Sequence, residues 1–249
     1  MKQHAFSRVR IDAERRTIHL LAKHQVTPGM LRLQFLCENP GTFQSPSADD
    51  HVKVFLPVDG GASTIARDFT PRAWDAQAGT LTIDFALHPQ GPAVDWARDA
   101  RIGDSLQMGG PRGSAVAPTD FDWTLLIGDS TALPSIARRL DALPRNATVH
   151  VIAIVPDISE ESYLAEHETV GITWLLSSTD AAVNLHRVIM TLAGTRLPSG
   201  DGFIWIAAEE SIARGVHRYA QETLSHPKEW IKASAYWSAG RADGGARIA

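Results

Sequence analysis

Up to about residue 115 the chain alternates apolar and polar positions. Beyond that, apolar residues run together and then take up helical spacing. "TIHLLAKHQVTPGMLRLQFLC" (17–37) reads as two extended runs broken at Thr27-Pro28-Gly29, a turn signal. "HVKVFLPV" (51–58) alternates and stops at the "DGG" turn. "TLTIDFALH" (80–88) puts Leu81, Ile83, Phe85 and Leu87 on one face and Thr82, Asp84 and Ala86 on the other. "VDWARDA" reads as a short helix behind Pro92, "SLQMGG" as a strand and "GGPRG" as a loop. Short strands with turns between them predict a small antiparallel β-barrel.

The second texture begins near residues 116–121. "WTLLIG" and "GFIWIAA" are continuous apolar runs, the pattern of strands buried on both faces of a parallel sheet. "STALPSIARRLDAL" follows the first of these with Leu133, Ile136, Ala137 and Leu140 at helical spacing. "TVHVIAIV" and "ITWLLS" read as strands, "EESYLAEH" and "DAAVNLHRVIMTLAG" as helices. "ESIARGVHRYAQETL" reads as a helix and "IKASAYW" as a closing strand. Strands alternating with helices predict an open α/β sheet with right-handed crossovers. The expected division is a β-barrel domain over residues 1–117 and a nucleotide-binding-like α/β domain over 118–249.

Composition narrows the chemistry. Across 249 residues, 24 basic and 28 acidic side chains leave a net charge of -4, which gives no broad cationic field for nucleic acid. Any anion site must be a local cluster. One cysteine, Cys37, excludes an internal disulfide, a cysteine-only metal site and an iron–sulfur cluster of the chain's own. Ten scattered histidines show no metal-ligand spacing. The first residues lack the apolar core of a secretory signal, and no apolar run approaches the roughly 20 residues of a membrane helix. The reading is a cytoplasmic protein without membrane insertion.

Five segments carry candidate chemistry. In "ARDFTPRAW" (66–74), Arg67 can pair with phosphate, Phe69 can stack and Thr70 can bond a ring edge; the same residues also suit an exposed strand. In "HPQGPAVDWA", Gly91 allows close approach, the following helix start points amides at an anion, and His88 ends the preceding strand as a ligand or a structural residue. "GGPRG" adds one cation, Arg112, to a close-approach loop. "IGDSTALPSIARRL" runs from strand to glycine to helix, the place where α/β sheets bind ligands, but lacks G-x-G-x-x-G and also fits an ordinary strand-to-helix turn. Tyr236 and Trp237, ending the last strand, either cover a cofactor face or close the core. A barrel followed by a nucleotide-type domain is a combination used by flavin reductases, an analogy of fold alone.

Taken in order, these segments resemble the siderophore-interacting, FAD-binding proteins. The family pattern reads roughly "HVKLFFP", "R-x-Y-T-x-R", "LH-x-x-x-GPAS-x-WA", "GPRGS", "GDETALPAIARRLE", "W-x-AGE" and "GYWRxG". This chain has "HVKVFLP", "RDFTPR", "LHPQGPAVDWA", "GPRGS", "GDSTALPSIARRLD", "WIAAEE" and "AYWSAG". The resemblance implies a ferredoxin-reductase-like fold and a ferric-siderophore reductase that uses FAD, with NAD(P)H or ferredoxin as electron donor and a ferric siderophore as partner. It implies FAD contacts at Arg67, Phe69, Thr70, His88, Gly91, Pro92, Ala93, Val94, Trp96, Arg112, Gly113, Thr131 and Ala132. It places Lys53 and Arg241 toward the substrate, and Gly128, Asp129 and Glu209 toward a nucleotide donor. The chain departs from the pattern at Phe69 (tyrosine in the family), Val94 (serine), Ser130 (glutamate), Ala208 (glycine) and Ser238 (arginine). The first two remove hydroxyls from the flavin side; the last three touch donor and substrate selection.

Overall fold

A computed structural model describes residues 4–241 and 245–248. Its contacts divide the chain into two compact units, Met1–Pro118 with Ala137–Ala142, and Thr119–Ile136 with Leu143–Ala249.

The first unit contains β1 (Ser7–Val9), β2 (Arg15–Thr27), β3 (Met30–Cys37), β4 (Val52–Val58), β5 (Ser63–Phe69), β6 (Pro71–Asp75), β7 (Thr80–Ala86), α1 (Pro92–Asp99), β8 (Ser105–Gly109) and β9 (Ser114–Val116). Seven of the strands form one antiparallel sheet in the order β5-β4-β8-β2-β3-β7-β6, while β1 and β9 pair separately. The two edge strands, β5 and β6, are consecutive in sequence and joined by Thr70 alone. The sheet therefore has to curl until its edges meet, and the Phe69 ring on β5 lies 4.3 Å from the Phe85 ring on β7. The result is an antiparallel half-barrel, as the alternation implies.

Alternate residues of each strand fill its interior: Ile18 and Leu20, Leu33 and Phe35, Val52, Val54 and Leu56, Leu81, Ile83 and Phe85, Leu106 and Met108. Helix α1 lays Ala97 into this core and Trp96 beside Phe35 and Phe85, and Val94 is buried as well. Cys37 is buried in the same core, and burial pushes its thiol pKa up against a smaller opposing influence of Arg16. Asp84, expected on the polar face of β7, is instead buried and takes two 2.7 Å hydrogen bonds from Arg32, its cross-strand partner on β3. Within the same unit Arg139 pairs with Asp49 (2.6 Å) and Arg138 donates to the Ser45 carbonyl (2.7 Å), which ties down residues 137–142.

The second unit contains β10 (Trp123–Asp129), the start of α2 (Leu133–Ala142), β11 (Thr148–Val155), β12 (Gly171–Leu176), α3 (Ala181–Gly194), β13 (Gly202–Glu209), α4 (Glu210–Glu222), β14 (Ile231–Trp237) and β15 (Ala246–Arg247). Five parallel strands run in the order β12-β11-β10-β13-β14, and β15 adds antiparallel to β14. The continuous apolar runs became the central strands: every residue of β10 and β13 is buried. The order reverses between β10 and β13, so their carboxyl ends flank the sheet's switch point. "EESYLAEH" differs from expectation. Residues 158–167 form 3-10 turns broken at Leu164, because only Leu164 and Glu160 are buried there and no apolar stripe supports an α-helix.

Among the described residues no helix is long and apolar enough to cross a membrane.

Candidate functional site

The half-barrel puts the "RDFT" segment within two strands of "GPRG" and links it through Phe85 to "GPAVDWA", the two other segments expected to meet the flavin. Phe69 contacts Phe85, and Phe85 lies 6.5 Å from Trp96, so an aromatic chain links "RDFT" to "GPAVDWA". On the other side, Asp68, Lys53 and Gly109 stand in one row across β5, β4 and β8. Neighbouring strands are about 4.8 Å apart, so "GPRG" begins about 10 Å from the end of β5.

Each candidate then has its place. Arg67 is half-buried and donates to the Ala66 carbonyl at 2.8 Å. Thr70 is buried at the link between the edge strands. His88 is exposed and lies over Gly91: a Cβ there would come within 2.6 Å of the imidazole, and Gly91 holds φ +152°, a conformation that favours glycine. Gly91 caps α1, whose first internal bond runs from the Asp95 amide to the Gly91 carbonyl (2.9 Å). Pro92 has no N–H, which leaves the Ala93 and Val94 amides without an intrahelical acceptor. Val94 is 1% exposed, backbone included, while Ala93 and Trp96 are partly buried against the core. Arg112 is exposed and in no ion pair among the described residues, and Gly113 beside it has φ +125°.

The switch point is more heavily committed. A Cβ on Gly128 would lie 2.7 Å from the Ala132 methyl and 3.0 Å from the Ala207 carbonyl, so this glycine serves close packing. Ala132 is fully buried. Asp129 accepts from the Thr131 amide (3.0 Å) and hydroxyl (2.6 Å), the Glu209 amide (2.8 Å) and the Trp237 indole (2.8 Å). Burial pushes the Asp129 carboxyl pKa up, and these donated bonds oppose the rise. Glu209 caps α4, accepting from the Ser211 amide (2.7 Å) and hydroxyl and the Ile212 amide (3.4 Å).

The two cations expected to face the substrate, Lys53 and Arg241, have partners. Lys53 Nζ lies 2.9 and 3.0 Å from the Asp68 carboxylate, and Arg241 lies 3.9 Å from Glu210. Glu210 also accepts from Ser238 (2.6 Å) and Arg214 (2.9 Å), which hold its pKa down. Asp68 is identified as a partner only by the register of β4 with β5, and Glu210, the first residue of α4, only by its contacts with the chain after β14. Trp237, for which core closure was one expectation, is 44% exposed, whereas the Tyr236 hydroxyl bonds Ser135 at 2.8 Å.

The siderophore-interacting FAD-binding domain profile matches residues 19–66 and 58–115, and the siderophore-interacting protein profile matches 121–240. An NADPH-dependent ferric-chelate reductase of Escherichia coli is 31% identical over 93% of this chain and 96% of its own. The chain belongs to the siderophore-interacting protein family. The ferric vibriobactin reductase ViuB of Vibrio cholerae is 26% identical over 91% of this chain and 90% of its own. A siderophore utilization protein from T. fusca superposes with TM-score 0.88 at 30% identity, over 96% and 98% of the two chains. The fold is ferredoxin-reductase-like, shared at TM-score 0.69 and 15% identity by the CS-b5R domains of human Ncb5or (90% and 70% covered).

FAD is the cofactor of a siderophore-interacting FAD-binding domain, and the residues present suit it. Arg67, Arg112 and the α1 start behind Gly91, where the Ala93 amide has no intrahelical acceptor, are groups of the kind that suit an anionic pyrophosphate. The family's departures read differently in three dimensions. Val94 fills a buried slot where a serine hydroxyl would lack water, and Ser238 turns its hydroxyl onto Glu210.

Proposed function

We propose that this siderophore-interacting protein is an FAD-dependent ferric-siderophore reductase. It reduces chelated Fe(III) to Fe(II), with NAD(P)H or reduced ferredoxin as donor. The similarity to a ferric-chelate reductase over 93% of the chain carries this reading, and the half-barrel's donor set supports it. The chemistry supplied by bound FAD is acceptance of an electron pair and its release in single steps. Two Fe(III) chelates are reduced for each NAD(P)H oxidised.

The chain's own residues bind and orient. Arg67, Arg112 and the first turn of α1 at Ala93 and Val94 would hold the pyrophosphate, and Phe69 and Thr70 would meet the flat ring. Because oxygen chelators grip Fe(II) far more weakly than Fe(III), reduction releases the metal without a protein ligand. Ferric siderophores are often anionic; Lys53 and Arg241 are the proposed cations, and an arriving anion must draw them from Asp68 and Glu210.

The test is steady-state reduction of a panel of ferric siderophores by FAD-loaded protein with NADH, NADPH or reduced ferredoxin, read with a ferrous indicator dye. Colour with at least one donor and one siderophore is the expected result. Reduction of free flavins alone would return the chain to a general flavin reductase; bound FAD and siderophore without turnover would make it a carrier. A companion measurement is FAD affinity of Arg67→Ala. Loss of a charge-assisted bond of about 1.5 to 3 kcal/mol weakens binding roughly tenfold or more, and an unchanged affinity removes Arg67 from the site.

A further inference from the structure

The chain that ends β14 is held by three carboxylates at the carboxyl edge of the parallel sheet. The Trp237 indole N–H donates to Asp129 (2.8 Å), the Ala239 amide to Glu209 (3.3 Å) and the Ser238 hydroxyl to Glu210 (2.6 Å). Trp237 belongs to β14 and Asp129 to β10, and β13 lies between them. With about 4.8 Å between neighbouring strands, the indole bridges roughly 10 Å. To do so it has to pass over the carboxyl end of β13. It therefore lies across the crevice between β10 and β13, where α/β sheets take dinucleotides.

Three observations define how this indole behaves. Its polar edge is bonded to the buried Asp129, while 44% of the residue stays exposed, which leaves surface for a ligand to meet. Among the described residues, Asp129 Oδ2 accepts from Trp237 and the Glu209 amide, both pure donors. Swinging the indole away would leave a buried carboxylate oxygen short of one bond, a costly state. The ring is thus fixed in place, and the Asp129 and Glu209 carboxylates beneath it already have donors of their own.

We propose that Trp237 is the platform on which the flat ring of a nicotinamide donor stacks at this crevice, with Asp129 as the residue that positions it. This rests on the nicotinamide branch of the function proposed above. It also reverses the expected roles at the switch point: Asp129 and Glu209 act through the indole and the α4 cap rather than on the nucleotide. Offset stacking on a large ring suits nicotinamide or adenine alike, and the β13–β14 half of the sheet would receive one of the two rings.

The experiment uses the FAD-loaded protein. KM and kcat are measured for NADH and NADPH, and NAD+ and NADP+ binding by calorimetry, in wild type, Trp237→Ala, Trp237→Leu, Trp237→Phe and Asp129→Asn. Losing one ring–ring stack should raise KM and the oxidised-nucleotide Kd together by about tenfold, with kcat changed far less. Trp237→Leu, which keeps volume without a π face, should match alanine even if the alanine variant folds poorly. Trp237→Phe should recover most of the affinity. Asp129→Asn turns an amide NH2 toward donors and should raise KM without touching the ligand. Unchanged KM in Trp237→Ala and Trp237→Leu overturns the platform. A lower KM in either marks the indole as a plug and overturns it as well. Wild-type protein that turns over with ferredoxin but neither binds nor oxidises nicotinamides defeats the donor branch, and the platform with it, while leaving the reductase reading intact.

Discussion

Arg32 and Asp84 face each other across β3 and β7 through two hydrogen bonds, and the Asp84 side chain has no exposed surface. Removing the guanidinium would strand a buried carboxylate, which typically costs 3–5 kcal/mol, roughly. Arg32→Ala should therefore lower the urea midpoint sharply at an unchanged m-value. A loss below about 1 kcal/mol would mean that water or another donor replaces the arginine. Lys53 behaves in the opposite way. Its pair with Asp68 is half-exposed, so Lys53→Ala should change stability by about 0.2 to 1 kcal/mol at most. Its effect on KM for an anionic ferric chelate should be modest at low salt and vanish as salt rises. A neutral chelate should show no change, and an equal rise in KM for both would remove charge from the explanation. Neither partner was visible in the sequence. Alternation along β7 puts Asp84 on the polar face, and only the pairing of β3 with β7 shows that this face is covered. The position of Lys53 in "HVKVF" was legible from the family pattern, but its neutralisation depends on the register of β4 with β5.

At the level of elements, the periods in the chain were informative wherever one face or both faces are buried. β2, β3, β4 and β7 follow their alternation, and β10 and β13 follow their unbroken apolar runs to the centre of the sheet. The short β1–β9 ribbon has three residues per strand and too few positions to carry a period. The turns over 158–167 failed for a related reason, since two buried residues do not make a stripe. Helix α4 shows how the last residue of a strand can cap the next element: Glu209, at the end of β13, receives the first amides of the helix and, from the other side, the Ala239 amide. Glu209→Ala should remove the cap and cost about 0.5 to 2 kcal/mol, measurable by denaturant unfolding. The same loss in Glu209→Gln would show that charge, not the accepting oxygen, matters at this end.

For the molecule as a whole, pH reports on three half-buried imidazoles. Burial lowers the pKa of His150, His217 and His226. An unfolded histidine titrates near 6.5. As pH falls below that value the unfolded chain takes up protons that the folded chain refuses, so their contribution is complete above about pH 6.5 and is lost below it. Asp50 and Asp129, with pKa values raised by burial, work in the other sense: their contribution declines as pH climbs from about 3.9 through their folded values. The melting temperature should therefore begin to fall just below about pH 6.5, well before carboxylates protonate. His226→Gln should flatten that fall; an unaltered slope would assign it to the other two histidines. The succession of an antiparallel half-barrel and an α/β fold was legible in the change of period along the chain. The closing of the half-barrel through Thr70 was not, because it follows from which strands end up at the edges.

The burial of Cys37 has a chemical consequence of its own. Iron(II) and reduced flavins both react with oxygen and produce peroxide, and thiolates are what peroxide attacks first. This chain's single sulfhydryl sits in the barrel core with its ionisation suppressed. A protein proposed to liberate iron(II) thus offers no ready sulfur to the oxidants its own turnover would create. Native protein should resist thiol reagents and peroxide that modify the urea-unfolded chain within minutes.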